Sequence, residues 1–429
     1  MTRALNCIIL AAGKGTRMCS DMPKVMHEIA GRPMLDHVIA TAQTFTPDTI
    51  TTVLGPEMDS VQADIAGTNI AVQHERLGTG HAVQAALAQT DTANSDVLIL
   101  YGDVPLITSG TLQRLLANYR ESGHAAALLG MTPDDPAGYG RIVRDDRDCV
   151  TGIVEEAEAD HKTRAIKLCN GGIMIADGYH LPGWLDALSN NNARGEYYLT
   201  DIIATLCAEG HSCGYAQADP QELQGVNDKA QLAAAEAIMQ DRLRHRAMKN
   251  GVTLRDPQST YFSYDTALGA DVVVEPGVIF APGVQVDEGS HIKAYSRLEN
   301  CTIGKKCEIG PFAHIADAKK PSTIGDGVVL GNFVEVKRAR LADGIKAKHL
   351  AYIADADVGA HTNFGCGAIT VNYDGKDKYK TTIGANVMVG SNVNLIAPVN
   401  IGDHAYLAAG STVNIDIPEN ALAIARSQV

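Results

Sequence analysis

Three parts of this chain gather residue types that could handle phosphate, a cation or a proton. The first is Leu10-Ala11-Ala12-Gly13-Lys14-Gly15-Thr16-Arg17-Met18, with Pro23-Lys24 close behind, at the end of a short apolar run. Glycines in such a turn let backbone N–H groups approach a phosphate chain, while Arg17 and Lys24 bring neutralising cations. The spacing is neither the G-x-G-x-x-G of a dinucleotide turn nor the G-x-x-x-x-G-K-[ST] of a P-loop. A tight strand-to-helix turn with two solvated bases has the same local sequence. The second part is Tyr101-Gly102-Asp103, which closes the run Val97-Leu98-Ile99-Leu100. It puts a carboxylate at the carboxyl end of a buried strand, where open α/β sheets bind ligands. Asp103 could cap the next helix or, beside a phosphate loop, bind Mg²⁺. Asn227 is open in the same way, between helix N-cap and metal ligand.

The third part lies far downstream. Asn332–Arg340 and Lys346–Tyr352 concentrate basic residues in an acidic protein and contain His349. A lone histidine is more often structural than catalytic. Acyl transfer to an amine, however, needs a group of near-neutral pKa to take the excess proton, and histidine suits that role.

The elements that must position these residues follow two rhythms. Up to residue 227, short apolar runs (Cys7–Ala11, Thr51–Leu54, Val97–Tyr101, Ala125–Leu129) alternate with amphipathic stretches such as Pro33–Phe45 and Gly80–Gln89. This pattern predicts an α/β domain with a Rossmann-like, mostly parallel sheet. Residues 228–250 contain no Gly or Pro and carry Leu232, Ala235, Met239 and Leu243 on one face, predicting a connecting helix stopped by Asn250-Gly251. From 251 to 429 the period becomes six. Aliphatic or aromatic residues fall at Leu268, Val274, Phe280, Val286, Ile292 and Leu298, and again at Ile383, Val389, Leu395, Ile401, Leu407 and Val413. Such a period predicts a parallel β-helix of hexapeptide repeats, each unit forming one flat side. Breaks of phase at Ala316–Ser322, Arg338–Ile353 and Thr370–Thr381 are expected to be insertions, and loops leaving a solenoid are where sites are built.

Composition narrows the function classes. Lys and Arg number 36 against 50 Asp and Glu, a net charge of −14, so no general basic field exists to attract nucleic acid or an anionic membrane. No apolar stretch reaches the ~18 residues a membrane helix requires. Nine scattered cysteines without a C-x-x-C pair are expected as free thiols in a cytoplasmic protein.

Taken together the motifs carry a family resemblance. Leu10–Met18 with Pro23-Lys24 is similar to the signature of sugar-1-phosphate nucleotidylyltransferases. The segments Gln73–Ala82, Tyr101–Leu106, Gly138–Ile142, Gly195–Asp201 and Gly225-Val226-Asn227 narrow it. With the hexapeptide half, nearly the whole chain resembles, in collinear order, the bifunctional N-acetylglucosamine-1-phosphate uridylyltransferase/glucosamine-1-phosphate N-acetyltransferases. That resemblance implies a left-handed β-helix and a homotrimer with its acetyl site between subunits. It implies two-step synthesis of UDP-N-acetylglucosamine, a cell-wall and lipopolysaccharide precursor, with Mg²⁺ as cofactor and UTP and acetyl-coenzyme A as co-substrates. Leu10, Ala11, Ala12, Gly13, Gln73, Gly78 and Thr79 would hold the uridine nucleotide, with Arg17 and Lys24 on its phosphates. Gly140, Glu155 and Asn170 would hold the N-acetylglucosamine moiety, Tyr101 and Gly102 would belong to the same nucleotide- and sugar-binding set, and Asp103 with Asn227 would bind Mg²⁺. In the second half, His349 would be the general base. Lys337, Tyr352, Asn363 and Lys378 would hold the amino-sugar phosphate, and Cys366, Asn372, Tyr373, Ser391, Ala409 and Arg426 the coenzyme.

Two departures stand out. Cys366 replaces an alanine common in the family, a small change where the contact would run through backbone. After Gly310-Pro311-Phe312-Ala313 the family typically has two arginines separated by one residue. Here His314-Ile315-Ala316 stands instead, followed by an apparent insertion with Lys319 and Lys320. A lost bidentate phosphate partner is not a conservative change. Either a lysine substitutes or acetyl transfer is weakened. Alternatives to the bifunctional reading are a nucleotidylyltransferase whose β-helix only oligomerises it, a different sugar or nucleotide specificity, and a non-enzymatic sugar-nucleotide sensor.

Overall fold

A computed structural model describes residues 3–192 and 194–425. The chain forms two compact units, residues 1–238 and 239–429.

The first unit is built on a nine-stranded sheet. Its main path runs Cys213–Gln217, Ala126–Met131, Cys169–Asp177, Ser95–Tyr101, Ala4–Leu10, Thr49–Leu54, Asn69–Val72. All four expected strands are present. Ala4–Leu10 pairs in parallel with both Thr49–Leu54 and Ser95–Tyr101. Its apolar run is continuous because both faces are covered: Cys7 and Ile9 enter one core, Ile8 and Leu10 the other. Cys169–Asp177 runs antiparallel between Ser95–Tyr101 and Ala126–Met131, which the alternating pattern did not predict. The expected helices span Met34–Gln43 and Thr79–Leu87. The long helix covers Lys229–Lys249 and ends where Gly251, at φ 90°, bonds back to Met248 O.

The second unit is a left-handed parallel β-helix whose short strands stack in three columns. The hexapeptide residues point inward: Val274, Phe280, Val286, Ile292 and Leu298 are all buried. Within this unit Gln240 anchors the helix by exchanging two hydrogen bonds with the backbone of Phe262, at 2.7 and 2.8 Å.

Residues 338–353, expected as an insertion, form a regular coil. Leu341, Ala347 and Ile353 take successive inward positions, and it is the small Ala347 that interrupts the aliphatic pattern. The excursions at 317–321 and 373–380 are real. No helix among the described residues is long and apolar enough to cross a membrane.

Candidate functional site

In the first unit a cleft of about 440 Å³ opens at the carboxyl ends of the central parallel strands. Leu10, Ala11, Ala12, Gly13, Lys24, Gln73, Gly78, Thr79, Tyr101 and Asp103 all line it. The sheet itself fixes the loop, since Ala11 N donates to Val53 O and Gly102 N to Leu10 O, each at 2.9 Å. Gln73 is buried and donates from Nε2 to Gly78 O at 3.0 Å. Gly78, at φ 112°, lies where a Cβ would strike the Tyr197 backbone, so only glycine closes this wall. Arg17 is exposed on a single 3-10 turn and does not line the cleft. Arg76, Arg194 and Glu196 do line it, although sequence reasoning gave them no role. The first lies inside the motif Gln73–Ala82 and the other two in or beside Gly195–Asp201.

A second cleft of about 490 Å³ adjoins the first and shares Thr79, Tyr101, Arg194 and Glu196 with it. Glu155 and Asn170 line it; Gly140 does not, but its carbonyl holds Asn170 by accepting from Asn170 N at 2.8 Å. A Cβ on Gly140 would approach Glu155 Oε1 to 3.3 Å. Burial raises the Glu155 carboxyl, and the positive charge of Arg194 works against that. Burial also pushes the Tyr101 phenol up, with a hydrogen bond to Thr79 opposing it. Tyr101 and Thr79 thus stand, with Arg194 and Glu196, at the boundary shared by the two clefts.

Asp103 and Asn227 converge on one positive charge. Lys24 Nζ donates to Asp103 Oδ2 and, at 3.1 Å, to Asn227 Oδ1. The Asn227 backbone is held from the helix side by Gln231 Oε1, which accepts its N–H at 2.7 Å. One carboxylate and one amide oxygen facing a common cation are hard donors suited to Mg²⁺, which usually takes one or two protein ligands and fills the rest with water and phosphate. Among the described residues no cluster of three or more His, Cys, Asp or Glu could hold a metal alone.

In the β-helix, His349 sits mid-strand in Lys346–Ala354, opposite Asn332 of Val329–Lys337. Its Nδ1 lies 3.1 Å from Asn332 Oδ1. An amide oxygen can only accept, so Nδ1 is the donor in this contact, the arrangement that leaves Nε2 as the acceptor of a neutral ring. Asn332 received no role from the sequence. Continuing the coil register, Asn332, His349, Cys366, Ser391 and Ala409 stack at equivalent positions of successive coils. Cys366 O accepts from Asn392 N, and Ser391 O from Gly410 N, both at 2.8 Å. Tyr352 lies three residues beyond His349 on the same strand, and Asn363 pairs with Lys346 on the preceding side. Arg426 lies outside the described residues.

The segment that departs from the family pattern is closely tied down. Arg338 donates to Asp317 and, from Nε and Nη2, to Asp355 at 2.7 Å; Asp355 also accepts from Asn372. Burial raises the Asp355 and Asp317 carboxyls, but the Arg338 hydrogen bonds leave both below the usual carboxylate range. Asp317 Oδ1 accepts the backbone N–H groups of Lys319 and Lys320, at 3.0 and 3.1 Å, while both residues remain exposed. Ala316 is buried. Lys337 Nζ pairs with Glu335 Oε1 at 2.6 Å, and His314 Nδ1 lies 3.6 Å from the same oxygen. Lys378 and Tyr373 are exposed on the 373–380 excursion, where Asn372 is buried at its base.

Comparison with known proteins adds to this geometry. A family model described as a MobA-like NTP transferase domain matches residues 7–166, and one described as bacterial transferase hexapeptide (six repeats) matches residues 380–414. The bifunctional protein GlmU of Paramagnetospirillum magneticum is 46% identical, covering 98% of this chain and 93% of that protein. That of Sphingopyxis alaskensis is 45% identical over 100% and 94%, and that of Stutzerimonas stutzeri 45% identical over 99% and 97%.

Proposed function

Because the chain belongs to the family of bifunctional GlmU proteins, we propose that it makes UDP-N-acetylglucosamine by acetylating glucosamine-1-phosphate and then transferring a uridylyl group to it. The observation that carries the second step is the pair of clefts joined at Thr79 and Tyr101. A nucleotide and a sugar phosphate bound on either side would meet beside Lys24, Asp103 and Asn227.

In uridylyl transfer an oxygen of the sugar phosphate attacks the α-phosphorus of UTP and pyrophosphate leaves. No protein nucleophile is required, so positioning and charge stabilisation do the work. Mg²⁺, when bound by Asp103 and Asn227, would stabilise charge developing on the phosphates. Lys24 would then release Asp103 and Asn227 and turn its ammonium to the phosphate chain, while Glu155, Asn170 and the Gly140 backbone hold the sugar.

In acetyl transfer the amine of glucosamine-1-phosphate attacks the thioester carbon and the C–S bond breaks. His349 Nε2, its orientation fixed by Asn332, accepts the proton from nitrogen and returns it to the departing sulfur, so that the coenzyme leaves as thiol and the imidazole is neutral again. Lys337, Tyr352, Asn363 and Lys378 would hold the sugar phosphate. Asn372, Tyr373, Cys366, Ser391, Ala409 and Arg426 would hold the coenzyme. The assembly is a homotrimer whose copies complete this site. Support comes from an exposed apolar ladder, Tyr295, Phe312, Phe333 and Leu350, whose last two members flank Asn332 and His349.

The test incubates pure protein with glucosamine-1-phosphate, acetyl-coenzyme A, UTP and Mg²⁺, following thiol and pyrophosphate separately. Release of both supports the reading, and release of only one identifies an inactive half. A monomeric mass by light scattering would overturn the trimer.

A further inference from the structure

We propose that Arg76 is a positioning residue that locks the two walls of the nucleotide cleft together and aims the Gly13 amide at the nucleotide phosphates; this rests on the uridylyl-transfer reading above. One wall is the loop Leu10–Gly13 and the other the segment Gln73–Thr79, and each hangs from the sheet by its own backbone bonds. Ala11 N reaches Val53 O and Gln73 N reaches Leu54 O, both at 2.9 Å. Arg76 joins the walls directly, donating from Nε to Ala12 O at 2.6 Å.

That bond fixes a peptide plane. In a trans peptide the carbonyl of one residue and the N–H of the next point in opposite directions. With the Ala12 carbonyl turned to Arg76, the Gly13 N–H faces away from it. This N–H meets no partner among the described residues, and a Cβ built on Gly13 would have no neighbour within 4 Å.

The guanidinium is itself braced. Its Nη2 pairs with Glu57 Oε1 at 2.7 Å, and this bond holds the Glu57 carboxyl below the usual carboxylate range. Gly55 supplies the passage: a Cβ there would collide with the Arg76 guanidinium and come within 3.4 Å of Ala12 O. Gly55 does not have a positive φ, so room for Arg76, not backbone conformation, explains the glycine.

The experiment compares Arg76→Met, Arg76→Lys and Gly55→Ala with the parent. A charge-assisted hydrogen bond is worth enough that Arg76→Met should raise the KM for UTP on the order of tenfold. The KM for N-acetylglucosamine-1-phosphate and the rate of acetyl transfer should stay at parental values. Lysine, lacking the fork, should recover only part of the loss. Gly55→Ala should reproduce the defect in the parent and add nothing in Arg76→Met, since both act through one contact. Calorimetric titration with UTP alone reads the same contrast without turnover. An unchanged UTP affinity in Arg76→Met, or additive effects of the two substitutions, would overturn the proposal. A parent that binds UTP but forms no pyrophosphate would instead overturn the uridylyl-transfer reading and leave the calorimetric comparison decisive for Arg76.

Discussion

The Asp103 carbonyl accepts the Val226 N–H at 2.9 Å. This single backbone bond brings a strand end and the start of the long helix together across more than half of the first unit's sequence, and it is why Asn227 stands beside Asp103. Asp103→Asn should therefore leave the fold intact while removing one anionic ligand at the point where charge develops. Pyrophosphate formation should fall ~10²-fold or more, the scale of a lost preorganised electrostatic contact. Acetyl transfer should be spared. Near-normal pyrophosphate release would sink the assignment of Asp103.

For His349→Ala, acetyl transfer should drop ~10²–10⁴-fold, the usual contribution of a general base. Raising the pH should restore part of it, because the free amine then needs no base. Asn332→Asp, which keeps an acceptor at Nδ1, should retain more activity than Asn332→Leu. Equal losses in the two would show that Asn332 does not orient the ring.

The lysines of the 317–321 excursion are anchored by backbone and exposed at the side chain, so they are free to reach an anion. Replacing Lys319 and Lys320 with Ala should raise the KM for glucosamine-1-phosphate about tenfold with little change in kcat, the pattern of lost uniform binding. An unchanged KM would show that the excursion does not stand in for the absent arginine. In that case Lys337, already paired with Glu335, would be the main cation.

The ladder of Asp317, Arg338 and Asp355 gives a pH dependence of known sign. Both carboxyls are held below their ordinary value in the folded state, so they bind protons more weakly than in the unfolded chain. Their contribution to stability is complete above about pH 4, the unfolded carboxylate value, and is lost as the pH falls through the lower folded values. Arg338→Met should lower the melting temperature at neutral pH and flatten its fall below about pH 4. Parallel curves for parent and variant would refute the ladder's role.

Much of this was legible before any coordinates. Buried strands announced themselves because both faces of the sheet are covered, and the inward residues of the β-helix repeat every sixth position. Residues 338–353 were misread as an insertion because the inward position between Leu341 and Ile353 is taken by Ala347, a residue too small to mark the repeat in the sequence although it is fully buried. Cys169–Asp177 was missed because an antiparallel strand in a mostly parallel sheet has no distinct periodicity. Arg76, Asn332 and Arg338 escaped notice for a different reason. Their partners, Ala12, His349 and Asp355, are 64, 17 and 17 residues away, and nothing in the local pattern tells a braced cation or amide from a solvated one.

The shared boundary at Thr79 and Tyr101 has a thermodynamic consequence for the two clefts that meet there. Any movement of the boundary that one ligand favours changes the affinity of the other, and linkage makes the change reciprocal. Whatever factor UTP imposes on the binding of the sugar phosphate, the sugar phosphate must impose on UTP. A substitution at Tyr101 would alter that factor in both directions at once, even if each ligand, offered alone, bound as before.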